Sequence, residues 1–192
     1  APGVCVAEET LALFLSAVER TYLPNPYHNS SHATDVMLSA HQLLLASGFG
    51  AALAAAELLA VLLAAAVHDV GHPGTSNAFQ INSCAEVALR YNDVSVLENF
   101  HCATAFQIMR GAVGGGRANV LEVLPVATRN ETRKLMVQLV LATDLAKHNA
   151  LLQEFQAHCE GGGLTPAAVL RGGEDAAAAR SVLLSLTMKC AD

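Results

Sequence analysis

No stretch of this sequence gathers its lysines and arginines into a stripe. The 11 basic residues are scattered among 17 acidic ones, for a formal net charge of −6. Such a chain cannot neutralise a run of phosphates, which argues against a nucleic-acid-binding module. A small anionic substrate would instead have to be met by bound metal or local dipoles. Aromatic residues make up 5% and tryptophan is absent. With β-branched residues also few beside alanine and leucine, the material of sheets is scarce and that of helices abundant. No strand-period alternation of useful length and no internal repeat is present. The five cysteines (Cys5, Cys84, Cys102, Cys159 and Cys190) form an odd, widely spaced set without a C-x-x-C. That excludes a disulfide framework or zinc ribbon and leaves buried free thiols in a reducing compartment as the expectation. The N-terminus shows no basic, apolar and cleavage-site succession, so no signal peptide is expected.

What is present is apolar and helical. Hydrophobic residues are 53% of 192, enough for one domain with a sizeable core and too many for disorder. Residues 1–192 are read as a single domain. Phe49 to Val67 imitates a membrane span, but Glu57 interrupts it and alanine dominates it, so a buried core helix is expected. Helical spacing runs from about Ala7 to Arg20. Asn25-Pro26 punctuates, a second helix follows through Ala46, and Ser47-Gly48 ends it. The Ala/Leu-rich helix closes at Gly71 with Pro73-Gly74 beyond. Ser83 with Glu86, Ser95 with Glu98 and Thr128 with Glu131 read as capping boxes, the last opening an apolar helix from Leu135 to Ala142. The triple glycines at 114–116 and 161–163 read as loops, neither of them a phosphate cradle. The expected fold class is all-α, a multi-helix array.

Histidine carries the chemistry. Four of the eight fall in two H-x-x-x-H pairs, His28/His32 and His68/His72, and on a helix either pair could converge on one metal. A zinc protease needs glutamate directly after the first histidine; Asn29 and Asp69 stand there, which argues against it. His68-Asp69 instead suits adjacent ligands at a binuclear site, where a carboxylate can bridge two cations about 3.5–4 Å apart.

Tyr27-His28-Asn29-Ser30-Ser31-His32-Ala33-Thr34-Asp35-Val36 resembles the Y-H-N-x-x-H-A-x-D-V segment of class I 3′,5′-cyclic nucleotide phosphodiesterases, and His68-Asp69-Val70-Gly71-His72-Pro73-Gly74-Thr75-Ser76-Asn77 resembles their H-D-x-x-H-x-G-x-x-N signature. Tyr91-Asn92-Asp93 through Val96-Leu97-Glu98-Asn99, Leu141-Ala142-Thr143-Asp144 and Lys189-Cys190-Ala191-Asp192 resemble further blocks in the family's order.

The resemblance implies the helical phosphodiesterase fold. It also implies two divalent metals, zinc and magnesium (or manganese). His32, His68, Asp69 and Asp192 would hold the first, and Asp69 would bridge to the second. His28 would be the general acid toward O3′, and a bridging hydroxide would attack phosphorus. Histidine can hold and release a proton near neutral pH, which suits that duty. Tyr27, His28, Asp69 and Asp192 would meet the cyclic nucleotide, cAMP or cGMP. His72, Asn77, Glu98 and Asp144 would support the centre from behind, Glu98 by orienting a histidine and Asp144 by bonding metal-bound water. His101 shares a face with Leu97 and Ile108, so a core role stands at least level with a functional one. By the family's measure the chain stops before the purine-gripping glutamine and aromatic clamp, so it reads as C-terminally truncated. Another His-Asp metal phosphohydrolase and a non-catalytic regulatory fragment are the alternatives. The expected partner is the small-molecule cyclic nucleotide, with no membrane insertion by this piece. The expected location is cytoplasmic, or the cytosolic side of a membrane if a longer protein is anchored. Oligomeric state is not legible.

Overall fold

A computed structural model describes residues 4–113, 118–161, 169 and 174–192. The triple glycines at 114–116 and 161–163 fall, apart from Gly161, outside the described residues. Every regular element among the described residues is helical. The helices are α1 (Glu8–Thr21), α2 (Ser30–Ala46), α3 (Ala55–Val67), α4 (Asn77–Asn82), α5 (Glu86–Arg90), α6 (Val96–Met109), α7 (Val126–Ala142), α8 (His148–Glu160) and α9 (Glu174–Ala191). Short 3₁₀ turns stand at Phe49–Ala52 and Leu145–Lys147.

The centre is α3. It packs against α7 and α2, and α9 closes the ring by packing on both. Ala60, Val61, Leu63, Ala64, Ala65, Ala66 and Val67 are all buried, so the helix is enclosed on nearly every side, as its apolar sequence requires. Its alanines leave little side-chain bulk, which lets neighbouring helices approach closely. The apolar stretch from Phe49 is split by the 3₁₀ turn, and α3 ends at Val67 with a tight turn from His68 to Gly71. Glu57 sits in the first turn of α3. Its carboxylate accepts from the Ala54 N–H at 2.7 Å and meets the Arg180 guanidinium of α9 at 3.2 Å. No helix among the described residues is long and apolar enough to cross a membrane.

None of the three expected capping boxes forms. Ser83 ends α4, donating its hydroxyl to Phe79 O, while Ala85 precedes α5. Thr128 lies inside α7, which begins behind Pro125, where a fixed φ suits a helix start. Ser95 precedes α6 but in a left-handed conformation (φ 43°), and its hydroxyl turns elsewhere. A local sequence signature loses here to hydrogen bonds made across the fold.

The thiols also differ from expectation. All five cysteines are free, but only Cys102 is buried; Cys5, Cys84, Cys159 and Cys190 are exposed. Burial pushes the Cys102 thiol up to about 12, with Arg133 only partly opposing. A disulfide reagent should therefore titrate four thiols in the native protein and the fifth only after unfolding. Rapid labelling of Cys102 under native conditions would contradict this packing.

Candidate metal centre

Three segments far apart in sequence deliver the four donors. Asn29 caps α2, its side-chain oxygen accepting from Ser31 N at 2.9 Å and His32 N at 3.1 Å, which fixes His32 in the first turn. His68 stands where α3 ends, and Asp69 follows in the turn. Asp192 stands just beyond α9. His32 Nε2 lies 3.3 Å from His68 Nε2 and 3.1 Å from Asp192 Oδ1. His68 Nε2 lies 3.3 Å from both Asp69 Oδ2 and Asp192 Oδ1. His32 Nε2 is 3.6 Å from Asp69 Oδ2.

These separations fit a cation. Two ligands each about 2.1 Å from a metal stand about 3.0 Å apart at right angles and about 3.4 Å apart at the tetrahedral angle. The tautomers fit as well. His68 Nδ1 faces the Ala65 carbonyl at 2.9 Å, which can only accept, so the ring proton sits there and Nε2 is turned to the cluster. Asp69 is two-sided: Oδ2 faces His32 and His68, while Oδ1 faces His101 Nε2 at 3.8 Å. A second group of donors, Asp69, His72 and His101, thus adjoins the first.

Within the cluster the side-chain charges hold one another. Burial by itself would lower His68, but the Asp192 and Asp69 carboxylates outweigh it and hold the imidazole up at about 10. Burial would likewise raise Asp69, yet the hydrogen bond and charge of His68 keep it well below the usual carboxylate range. Asp192 is lowered in the same way, His68 again overriding burial.

The two sequence pairs do not act as helical pairs. His28 precedes the cap of α2 and His72 lies beyond the end of α3, so neither shares a helix face with its partner four residues away. The pairing instead crosses between motifs. His32 meets His68, and the rings of His28 and His72 stack with centroids 3.8 Å apart at 15°. His72 Nδ1 accepts from Gly74 N at 2.9 Å, which leaves Nε2 as the nitrogen that His72 offers to the second group. Burial lowers its pKa, against the pull of Asp69.

The place of His101 beside Asp69 was not legible in the sequence. The residue is 1% exposed, its Nδ1 donates to Val70 O at 2.9 Å, and its Nε2 looks at Asp69. Burial depresses it to about 4, so at neutral pH it is uncharged. Its one local signal is the i, i+3 spacing from Glu98, which puts both on one side of α6. Asn25 was also missed, read as punctuation. Its amide donates to His28 O at 3.2 Å and His72 O at 2.7 Å.

Behind the centre, Glu98 does not orient a histidine. Its two oxygens accept from Asn77 Nδ2 at 3.1 and 3.0 Å, and Asn77 Oδ1 accepts from Leu97 N at 2.9 Å. Asn77 therefore caps α6 from α4, the duty expected of Ser95. Burial raises Glu98, with Asn77 opposing. Asp144 is tied on both oxygens, accepting from Ser95 Oγ at 2.7 Å and Ala146 N at 2.9 Å. Tyr27 stands on the rim, 57% exposed, its ring 4.4 Å from that of His32. Tyr27, His28, Asp69, His72, Asp144 and Asp192 are among the residues lining one cavity of about 770 Å³, a size that accepts a small molecule.

Gly71 makes the turn possible. Its φ is +75°, and a Cβ there would lie 3.1 Å from Phe100 Cε1. Gly71→Ala should therefore cost about 1–2 kcal/mol for the left-handed backbone alone, read as a lower unfolding midpoint. An unchanged midpoint would mean that the turn is not held this way.

Comparison with known proteins follows the same line. The family model described as 3′5′-cyclic nucleotide phosphodiesterase matches residues 27–192. The 3′,5′-cyclic-AMP phosphodiesterase 4C of Rattus norvegicus is 40% identical over 166 residues, covering 86% of this chain and 30% of the relative. The 3′,5′-cyclic-AMP phosphodiesterase 4 of Dictyostelium discoideum is 44% identical over 144 residues, covering 74% of this chain and 13% of the relative. The chain thus spans less than a third of the length of these curated relatives. The crystal structure of the phosphodiesterase domain of the RhoPDE fusion protein from the choanoflagellate Salpingoeca rosetta superposes with a TM-score of 0.84 at 34% identity, covering 97% of this chain and 55% of that one.

Proposed function

The chain belongs to the 3′,5′-cyclic nucleotide phosphodiesterase family, and from that premise we propose that it hydrolyses a 3′,5′-cyclic nucleotide to the nucleoside 5′-monophosphate with two divalent cations and His28 as general acid. The observation that carries this reading is the convergence of His32 and His68 Nε2, 3.3 Å apart, on the carboxylates of Asp69 and Asp192 at 3.1–3.6 Å, with both carboxylates lining the 770 Å³ cavity.

His32, His68, Asp192 and Asp69 Oδ2 would hold one cation, a nitrogen and oxygen set that suits zinc. Asp69 Oδ1 would reach a second, for which magnesium or manganese suits an oxygen-rich shell. Bound divalent cations supply Lewis acidity toward phosphoryl oxygens and make hydroxide available near neutral pH. In an acidic chain they also supply the positive charge that the anionic substrate needs.

The side chains do the rest. His28 lines the cavity beside the donor cluster without belonging to either group of candidate ligands, so its ring can give a proton to O3′ as the P–O3′ bond breaks. His72, stacked on it, restricts its swing. Asp144, locked by Ser95 and Ala146, is part of the cavity lining. Tyr27 covers the rim. Hydrolysis of this kind ends a cyclic nucleotide signal, and the relatives' names favour cyclic AMP as the first substrate to assay.

The test is a panel of cyclic AMP, cyclic GMP and a nucleoside triphosphate, offered to the natural polypeptide containing this chain. Metal-dependent release of a 5′-monophosphate from a cyclic nucleotide is expected. Turnover of the triphosphate alone would move the protein to another class of His-Asp phosphohydrolase. Weak metal retention with no turnover would leave a regulatory module.

A further inference from the structure

We propose that Asn25 is a positioning residue for the general acid: its side-chain amide holds the backbone of His28 against that of His72 and so sets where the His28 ring stands. This rests on the function proposed above and goes one step beyond it.

His28 needs an external restraint. It lies before α2, whose first residue is Ser30, so no helical hydrogen bond fixes it. The preceding segment contains Pro24 and Pro26, which have no N–H to donate. Asn25 supplies the restraint. One primary amide has two N–H donors, and Asn25 spends them on His28 O at 3.2 Å and His72 O at 2.7 Å. The two motifs are thereby joined through one side chain, and the imidazoles of the same two residues stack with 3.8 Å between centroids.

Asn25 is itself moored. Asn29 Nδ2 donates to Asn25 O at 2.9 Å, while Asn29 Oδ1 caps the helix that carries His32. The neighbouring turn is shaped to admit it. Gly74 has φ +79°, and a Cβ there would stand 3.0 Å from Asn25 Oδ1. A chain of two asparagines thus runs from the first turn of α2, through the acid's backbone, to the turn that follows α3.

In the reaction served, a hydroxide oxygen bonds to phosphorus and the P–O3′ bond breaks. The electron pair of that bond goes to O3′, the His28 ring proton transfers to O3′, and the imidazole is left one proton poorer. Only the proton transfer depends on the ring's position. A phosphodiester whose leaving group is already stable as an anion does not need it.

Asn25→Ala and Asn25→Asp, in the metal-loaded natural polypeptide, are to be assayed on the cyclic nucleotide and on bis(4-nitrophenyl) phosphate. Expected are a fall in kcat of about 10- to 100-fold on the cyclic nucleotide, a KM within about threefold, unchanged metal content and aryl-diester turnover within about twofold. Loss in equal proportion on both substrates would show that Asn25 merely keeps the fold together, and would overturn the proposal. So would unchanged turnover on the cyclic nucleotide. As a second measurement, Asn25→Ala introduced into His28→Ala should lower the residual cyclic nucleotide turnover by no more than about twofold, because the acid it serves is gone; a full additive loss overturns the assignment. Should the unaltered polypeptide turn over no cyclic nucleotide at all, the functional reading itself falls and takes the role of Asn25 with it.

Discussion

Replacing His28 with alanine should leave the natural polypeptide with its metals and almost none of its turnover. A positioned acid is worth about 10²- to 10⁴-fold in rate, and the leaving group of the proposed reaction is an alkoxide that departs poorly without a proton. The His28 ring is absent from both groups of donors that could hold an ion, so metal content should not change. Its neighbours in ring contact are Tyr27, His32 and His72, none of which the loss of an imidazole would unfold. The expected result is therefore a fall of that size in kcat, with metal stoichiometry and the unfolding midpoint at parental values. Full activity in the variant would remove the acid, and loss of metal would make His28 a ligand.

His68→Ala should act at the other end of the chemistry and abolish metal retention together with activity. His68 is 1% exposed and touches every other member of the cluster. Removing it deletes a ligand and leaves Asp69 and Asp192 near one another without a buried countercharge. Metal analysis after dialysis should show the candidate zinc lost, and turnover should fall by on the order of 10³-fold or more. A variant that kept its metal would show that the ion sits elsewhere.

The same residue predicts a pH dependence for chelated protein. His68 is raised from its ordinary value to about 10 by the two carboxylates. A histidine whose folded-state pKa exceeds its unfolded value near 6.5 contributes stability that is complete below 6.5 and lost as pH rises through 10. Metal-free protein should therefore melt progressively lower between pH 7 and pH 10. The metal-loaded protein should lack that slope, since binding has already displaced the proton. A metal-free melting curve no steeper in the parent than in His68→Ala would contradict the pairing.

How much of this was legible in the sequence depends on whether the governing forces were local. The helical class was, because alanine and leucine content sets backbone preference without reference to the rest of the chain. The burial of α3 was, because an enclosed helix must be apolar on all sides. The local caps were misread. Ser95 and Ser83 each stand three residues before a glutamate, yet Ser95 bonds Asp144, 49 residues on, and Ser83 closes the helix before it. A capping box is worth about 1 kcal/mol, little enough for one buried cross-chain hydrogen bond to outbid it. The face that His101 shares with Leu97 and Ile108 spoke for core, and core it is by burial; what sequence spacing could not convey is that its other nitrogen faces Asp69.

The sequence by itself determined that this chain would be helical, that it would bury an alanine-rich segment, and that its histidines and aspartates stood in blocks resembling one family's. Only the tertiary structure decided which histidines meet. Spacing by four brings side chains together only inside a helix, and His28 stands two residues before α2 while His72 stands five beyond α3. Their partners came instead from packing α2, α3 and α9 around a common core, which set His32 against His68, laid His28 on His72 and carried Asp192 across 160 residues of chain to within 3.1 Å of His32.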